Sequence, residues 1–254
     1  MIDIHSHLLP GVDDGSPSAT VSCQVLERFA RDGVARVVCT PHLVASAAGD
    51  APMARHREIL AEVEAHGRSL GIAMPALELG WEIMLDRPGC DLRARELGLA
   101  GSRAVLVELP RRFIPPGTAA EITRLRESGL VPVLAHPERY RGVTVDAVRE
   151  WRAAGAVIQT DATMLTGSGP MTEIARALLA AGLVDVLASD NHGDHRSLGA
   201  SRQWLVESEA SEQAELMTSV NPARVLRDEA PFPVPPMALD RGVFRRLRDL
   251  VFRR

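Results

Sequence analysis

Apolar and polar positions follow two periodicities along the chain. Short apolar, often β-branched runs typical of strands are separated by segments whose apolar residues recur every three or four positions, as in amphipathic helices. Strands are predicted at residues 2–5, 34–39, 75–83, 104–109, 131–135, 156–160 and 184–188. Helices are predicted at residues 20–31, 53–70, 119–128, 146–154, 171–181, 199–208, 211–218 and 221–226.

This alternation predicts an α/β protein with parallel strands joined by crossover helices. With about seven strand–helix repeats, an irregular β/α barrel is favoured over an open sheet. The body is predicted to span residues 1–228, followed by a proline-rich linker at 229–239 and a basic amphipathic tail at 240–254. The tail has two interpretations: contact with an anionic membrane or an acidic partner, or a helix docked on the body or on another subunit.

Composition excludes several functional classes. The net charge of −4 provides no overall basic surface for nucleic acid. All 29 basic residues are arginine, which excludes a Schiff-base lysine and a P-loop lysine. The three cysteines form no C-x-x-C motif, and the first predicted strand begins at Ile2, without room for a signal peptide. We therefore expect reduced cysteines and a cytoplasmic protein.

Polar residues with metal-binding side chains recur near the ends of the predicted strands. They are His5, His7, His42, Glu82, Glu108, His136, Asp190 and His192, joined by Asp14 from the first loop. The carboxyl ends of strands in a β/α barrel converge on one face. Random placement would scatter these residues over the helices and the opposite face. The pattern therefore predicts a metal site.

The chemistry of the set narrows the metal. Imidazole and carboxylate ligands without thiolate suit Mn²⁺, Fe²⁺ or Zn²⁺. The candidates outnumber the ligands of one ion, so we expect two to three divalent ions with a bridging carboxylate, a site that activates water and holds phosphoryl oxygens. Arg139 and Arg196 follow His136 and His192 on predicted loops. There they would bind phosphate, or else form surface salt bridges.

These motifs resemble the PHP (polymerase and histidinol phosphatase) family, in particular its bacterial branch of metal-dependent protein-tyrosine phosphatases of the CpsB/YwqE type. The resemblance spans residues 1–226, and the opening stretch 2–15 and the phrase Ala-His-Pro-Glu-Arg-Tyr at 135–140 are its most specific parts. It implies a distorted seven-stranded (β/α)7 barrel, similar to a TIM barrel.

The resemblance also implies a trinuclear metal site, usually with Mn²⁺. The three implied ligand sets are His5, His7, Glu82 and Asp190; Glu82, Glu108 and His136; and Asp14, His42 and His192. It implies attack on phosphorus by a metal-bridging hydroxide, with Arg139 and Arg196 holding the phosphate. The implied substrate is phosphotyrosine on a bacterial tyrosine kinase that controls capsule and exopolysaccharide production.

Other functions stay open at this point. No cysteine is followed by arginine six residues later, so a cysteine-based tyrosine phosphatase is excluded. A phosphatase for a small metabolite such as histidinol phosphate is the alternative enzyme. A metal-stabilised regulatory module that binds a kinase without catalysis is the non-enzymatic alternative, although the complete ligand set argues against it. Two loops depart from the family pattern, the apolar stretch after His42 and the segment carrying Asp161, and both would shape the substrate entrance.

Overall fold

The computed structural model describes residues 1–238, and the predicted tail at 240–254 lies outside the described residues. The described chain contains nine strands, most of them separated by helices. They are β1 Ile2–Ser6, β2 Arg36–Cys39, β3 His42–Val44, β4 Ala76–Leu79, β5 Glu82–Met84, β6 Ala104–Glu108, β7 Val131–Ala135, β8 Val157–Asp161 and β9 Val186–Ala188.

The strand ladders are all parallel, so the predicted α/β class is confirmed. They form a three-stranded sheet in the order β1-β2-β4 and a six-stranded sheet in the order β3-β5-β6-β7-β8-β9. The ladders do not close into one barrel, and the predicted count of seven strands is not confirmed. Ser6 of β1 forms an isolated parallel bridge with Asn191, which follows β9 in the chain.

The structure has two more strands than the sequence predicts. One follows the second predicted strand, and the other arises because the third predicted strand is interrupted. Thr40 and Pro41 separate β2 from β3, and proline has no N–H to donate to a ladder. Gly80 and Trp81 separate β4 from β5, where a Cβ on Gly80 would come within 2.8 Å of Leu99. The single strand predicted at 75–83 is therefore two strands, and β3 was not predicted.

The helices follow the prediction closely. They are α1 Ala19–Arg31, α2 Met53–Leu70, α3 Thr118–Glu127, α4 Val145–Ala153, α5 Thr163–Thr166, α6 Pro170–Ala180, α7 Leu198–Glu207, α8 Ser211–Glu215 and α9 Asn221–Val225. A π-helix over Leu216–Val220 joins α8 to α9. The Ser18 side chain caps α1 by accepting a hydrogen bond from the Val21 N–H at 3.3 Å, and Gly71 ends α2 with a φ of 66°.

The two sheets share an apolar core that supports the polar residues above it. Ile4 and Val38 of the smaller sheet belong to the same buried cluster as Leu106, Val133 and Val186 of the larger sheet. A second, larger cluster lies between the sheet and the helices that cover it. The strand ends are therefore held in fixed positions relative to each other.

Part of the predicted linker packs on the body. Phe232 and Asn221 exchange two hydrogen bonds, in which the Phe232 N–H donates at 2.8 Å and the Asn221 amide donates back at 3.0 Å. Val234 and Met237 are buried in the core. No helix among residues 1–238 is long and apolar enough to cross a membrane. The three cysteines are free thiols.

Candidate metal centre

The nine predicted ligands gather at one end of the two sheets. His5 lies in β1, Glu108 ends β6, and His136 directly follows β7. His42 and Glu82 begin β3 and β5 rather than ending strands, because the strands before them are interrupted. His136 and Asp190 have φ angles of 31° and 46°. Such left-handed backbone is costly for residues other than glycine and is concentrated at functional sites.

Five of these residues form a fully buried group, which we call the deep cluster: His5, His7, Glu82, His136 and Asp190. Asp190 Oδ1 lies 3.3 Å from His5 Nε2 and 3.2 Å from His7 Nε2. Glu82 Oε1 lies 2.6 Å from His136 Nε2 and 3.5 Å from His5 Nε2. Three imidazoles and two carboxylates thus surround a single small volume.

Three further residues form a more exposed group, which we call the rim cluster: Asp14, His42 and His192. Asp14 Oδ1 lies 3.2 Å from His42 Nε2 and 3.5 Å from His192 Nε2. The clusters meet at Glu82, whose Oε2 lies 2.8 Å from His42 Nδ1. Glu108 completes the nine, with its carboxylate oxygens 3.8 Å from His42 Nδ1 and 3.9 Å from His136 Nε2.

In the described part of the chain, four groups of ligand atoms are compact enough to hold an ion, with the atoms of each group within 4.8 Å of one another. The groups are His7, Asp14, His42 and His192; His5, His136 and Asp190; His5, His7 and Glu82; and His42, Glu82 and Glu108. Each of the nine predicted residues belongs to at least one group. The geometry is therefore compatible with the residues implied by the resemblance.

The donor set fits metal ions because its nitrogen lone pairs point at each other. His5 Nε2 and His7 Nε2 lie 3.2 Å apart. Their opposite ring nitrogens face acceptors, with His5 Nδ1 3.0 Å from Gln159 Oε1 and His7 Nδ1 2.8 Å from Asp13 Oδ2. A proton donated to these acceptors leaves both Nε2 atoms free as ligands, the usual arrangement of metal-bound histidines. Among residues 1–238, Glu108 Oε2 is buried and has no hydrogen-bond partner.

Gln159 and Asp13 are supporting residues outside the predicted ligand set. Gln159 lies on β8, which corresponds to the predicted strand at 156–160 that carries no candidate ligand. Asp13 Oδ2 also accepts a hydrogen bond from the His42 backbone N–H at 3.2 Å, so one carboxylate holds a residue of each cluster. The acidic turn at Asp13 was visible in the sequence, but the long-range partner of Gln159 had no local signal.

The charges within the site are strongly coupled. Burial opposes ionisation of Glu82 and Asp190, but nearby cationic groups, His5 foremost, hold the pKa of both carboxyls well below its usual range. Burial likewise opposes protonation of His5 and His7, yet the facing carboxylates raise the pKa of both imidazoles. Metal binding needs the neutral imidazole and therefore competes with protonation of these histidines.

Both predicted arginines reach the same candidate metal ligand, Asp190. Arg139 Nη1 lies 2.5 Å from Asp190 Oδ2, and Arg196 Nη1 lies 3.3 Å from the same oxygen. Arg139 also pairs with the buried Asp161, and Arg196 pairs with Asp194 at 2.8 Å. Since the other oxygen of Asp190 faces His5 and His7, the two guanidinium groups border the deep cluster.

A cavity of about 400 Å³ opens beside the rim cluster. Its lining combines Asp14, His42 and Glu108 with four apolar residues and Arg111. Arg111 Nε lies 3.8 Å from Glu108 Oε2, and its side chain is half exposed. No sequence feature distinguished Arg111 from the other surface arginines, so it was not predicted as a site residue.

Comparisons with known proteins show the family to which this chain is related. Residues 1–227 match the family described as capsular polysaccharide synthesis, CpsB/CapC. The chain is 27% identical to the tyrosine-protein phosphatase YwqE of Bacillus subtilis over 249 residues, covering 95% of this chain and 97% of that protein. It is 28% identical to the tyrosine-protein phosphatase CpsB of Streptococcus pneumoniae, covering 90% of this chain and 99% of that protein.

A solved structure supports the fold. It belongs to a set described as YwqE from Bacillus subtilis and CpsB from Streptococcus pneumoniae, unique metal-dependent tyrosine phosphatases. The TM-score is 0.79 at 24% identity, with 95% of this chain and all of that chain covered. At this identity the match shows a shared fold.

Proposed function

The chain belongs to the CpsB/CapC family of capsular polysaccharide synthesis, and we propose that it is a metal-dependent phosphomonoesterase of the protein-tyrosine phosphatase class. One observation carries the proposal. A compact set of nine metal-binding side chains is bordered by two arginines that converge on Asp190. Phosphoryl transfer needs both parts, because the developing charge on the phosphoryl oxygens must be neutralised while the group is held in position.

The proposed metals are two to three divalent ions, with Mn²⁺ as the first candidate and Fe²⁺ or Zn²⁺ as alternatives. We assign His5, His7, Glu82 and Asp190 to the first ion, Glu82, Glu108 and His136 to the second, and Asp14, His42 and His192 to the third. The contacts of Glu82 with both clusters support a bridging role. Bound ions would supply an activated water and Lewis-acid neutralisation of the phosphoryl oxygens.

The protein's own residues then have distinct tasks. Asp13 and Gln159 accept the Nδ1 protons of His7 and His5. Both imidazoles are thereby held in the tautomer whose Nε2 is free to bind a metal ion. Arg139 and Arg196 bind the phosphate and stabilise its charge in the transition state. Asp161 pairs with Arg139 Nη2 while Asp190 pairs with Arg139 Nη1, so the guanidinium is oriented before substrate binds.

We propose phosphotyrosine in a bacterial tyrosine kinase as the substrate, and capsule or exopolysaccharide regulation in the cytoplasm as the setting. The relatives named tyrosine-protein phosphatases support the substrate class. We retain the division into a phosphatase domain at 1–228, a linker at 229–239 and a tail at 240–254 that contacts a membrane or partner. We also propose that the two sheets together form one distorted seven-stranded barrel. The bridge between Ser6 and Asn191 and the apolar core common to both sheets support this arrangement.

Hydrolysis of three substrates by the Mn²⁺-loaded full chain tests the function. We expect hydrolysis of p-nitrophenyl phosphate and of a phosphotyrosine peptide, and much slower release of phosphate from histidinol phosphate. Faster turnover of histidinol phosphate would favour the small-metabolite alternative. Bound metal without hydrolysis of any substrate would favour the regulatory module.

A further inference from the structure

An apolar row directly follows the metal ligands on the neighbouring strands β3 and β5. His42 lies opposite Glu82 in the β3–β5 ladder, and Val44 lies opposite Met84. Since side chains two residues apart share a face of a strand, Val44 and Met84 continue the faces that carry His42 and Glu82. The row ends on β6, where Glu108 pairs with Met84.

The cavity beside the rim cluster is built on this row. Its volume is about 400 Å³, and its apolar wall consists of Leu43, Val44, Met84 and Leu109. Leu109 is buried, whereas Leu43, Val44 and Met84 are partly exposed to the cavity. The rest of the lining includes Asp14, His42 and Glu108, three of the proposed metal ligands. The apolar residues thus lie next to groups that would hold the metal ions.

Arg111 closes the outer side of this cavity. Its side chain is 52% exposed, and its contact with Glu108 is a loose one at 3.8 Å. The guanidinium is therefore available to a ligand. A cation at this position favours an aromatic ring, through cation–π attraction, and disfavours a positively charged amine.

We propose that this cavity is the leaving-group subsite and that it binds the aromatic ring of an aryl phosphate. The ring packs against Val44 and Met84, with Arg111 at its outer edge and the phosphate toward His42 and Glu108. Methionine sulfur makes favourable contacts with aromatic rings. Apart from the proposed metal ligands and Arg111, the described residues that line the cavity are apolar. They offer no hydrogen bonds to the hydroxyl groups of a polyol. This inference rests on the proposed phosphatase function and names the part of the substrate that the site selects.

Binding of two non-hydrolysable phosphonates to the Mn²⁺-loaded full chain tests the subsite directly. Benzylphosphonate carries the ring, and methylphosphonate carries the phosphonate group alone, so calorimetric Kd values separate ring binding from phosphate binding. We expect Met84→Gln to weaken benzylphosphonate about tenfold, as is typical for a lost apolar contact in a pocket. Methylphosphonate should stay within about twofold, and Met84→Leu should stay near the wild type for both ligands.

Arg111→Gln and Arg112→Gln form a matched pair for the outer edge. Arg112 is the exposed neighbour of Arg111 and does not line the cavity. We expect Arg111→Gln to weaken benzylphosphonate about threefold, in keeping with an exposed cation–π contact, and Arg112→Gln to leave it unchanged. Equal weakening of both phosphonates by Met84→Gln, or no preference of the wild type for benzylphosphonate, would overturn the proposal.

The subsite and the phosphatase function fail in different ways. If the wild type hydrolyses phosphotyrosine peptide while Met84→Gln and Arg111→Gln bind benzylphosphonate as the wild type does, the subsite is wrong and the function stands. If the Mn²⁺-loaded wild type hydrolyses no phosphomonoester, the function itself is wrong.

Discussion

The deep cluster and the rim cluster use the same side chains in opposite surroundings. The deep ligands are at most 1% exposed, whereas Asp14, His42 and His192 have side chains 70%, 31% and 14% exposed. Buried charges interact strongly because water does not screen them, while exposed ones are screened. We infer that the deep cluster holds its ions tightly and that the rim cluster holds an ion that exchanges.

The hydrogen bonds that orient the candidate ligands also differ between the deep cluster and the rim cluster. His5 and His7 each have a side-chain acceptor behind the ring, Gln159 and Asp13. His192 Nδ1 instead faces the Asp190 backbone carbonyl at 2.9 Å. Asp14 comes from a loop and has no such support among the side-chain contacts of the described chain. His5 and His7 are thus oriented before metal arrives, whereas Asp14 would be ordered partly by the metal. His136 Nδ1, in contrast, has no hydrogen-bond partner among the described residues.

Glu82→Gln should have the largest effect, because this carboxylate contacts both clusters. We expect kcat for p-nitrophenyl phosphate to fall roughly a thousandfold, matching the several kcal/mol that metal ions contribute to such transition states. Elemental analysis should show fewer bound ions. Glu78→Gln is the matched control. Glu78 lies on β4, the strand before β5 in the chain, and pairs with Arg36 on β2. Full metal content and activity in Glu82→Gln would contradict the bridging role.

Arg139 comes next, together with the carboxylate that orients it. Arg139→Gln should lower kcat about a hundredfold, as expected for loss of one donor to developing charge. Asp161→Asn should lower kcat about tenfold, and the double variant should match Arg139→Gln because the two residues act as a unit. Metal content should not change in Asp161→Asn. Additive losses, or loss of metal, would show that Asp161 does not act through Arg139.

Asp14→Asn isolates the rim cluster. We expect the apparent Mn²⁺ affinity measured by activity to fall about tenfold, with kcat recovering at high Mn²⁺, because an exposed ligand of a screened site is lost. A Mn²⁺ titration of p-nitrophenyl phosphate hydrolysis measures this. Loss of activity that no Mn²⁺ concentration restores would place Asp14 in the chemical step and remove the distinction between the clusters.

The smallest effect is on the stability of the metal-free protein. The raised pKa values of His5, His7 and His42 stabilise the fold fully below about pH 6.5, the titration point of unfolded histidine, and this stabilisation is lost as pH rises through the raised values. Burial raises the pKa of Glu138 to about 8. Ionisation of this carboxyl as the pH rises therefore also lowers the stability of the fold.

The Tm in chelator should therefore fall by about 3 °C or more between pH 6 and pH 9, since 1 kcal/mol corresponds to about 2–4 °C in a chain of this size. Bound Mn²⁺ replaces the protons on the histidines and should remove or reverse the slope. Thermal unfolding at both pH values, with and without Mn²⁺, measures the difference. If the Tm changes with pH to the same extent with and without Mn²⁺, protons and metal do not compete for these histidines and the account is contradicted.

The sequence predicts the helices and the nine candidate ligands because both depend on local patterns. Apolar spacing identifies most elements, and every candidate except Asp14 lies close to a predicted strand. The short strand β3 after Pro41 and the interruption at Gly80 were missed. Packing against Leu99 decides that interruption, and an apolar run gives no sign of it. Only the structure shows that Gln159 supports His5, because 154 residues separate the two in the chain.

The arginines show the same limit. Arg139 and Arg196 were predicted from their positions after histidine-bearing strands, but their convergence on Asp190 follows from the fold. Asp161 stood out in the sequence as a departure from the family pattern, and its pairing with Arg139 gives that departure a physical role.

Graded removal of metal tests the central claim most directly, by following bound ions and phosphotyrosine-peptide hydrolysis in the same Mn²⁺-loaded samples as chelator increases. We predict that the first ion leaves at low chelator with a partial loss of activity. The remaining ions should leave only at high chelator, abolishing hydrolysis, and Mn²⁺ should restore it. Hydrolysis that persists in metal-free protein would contradict the account.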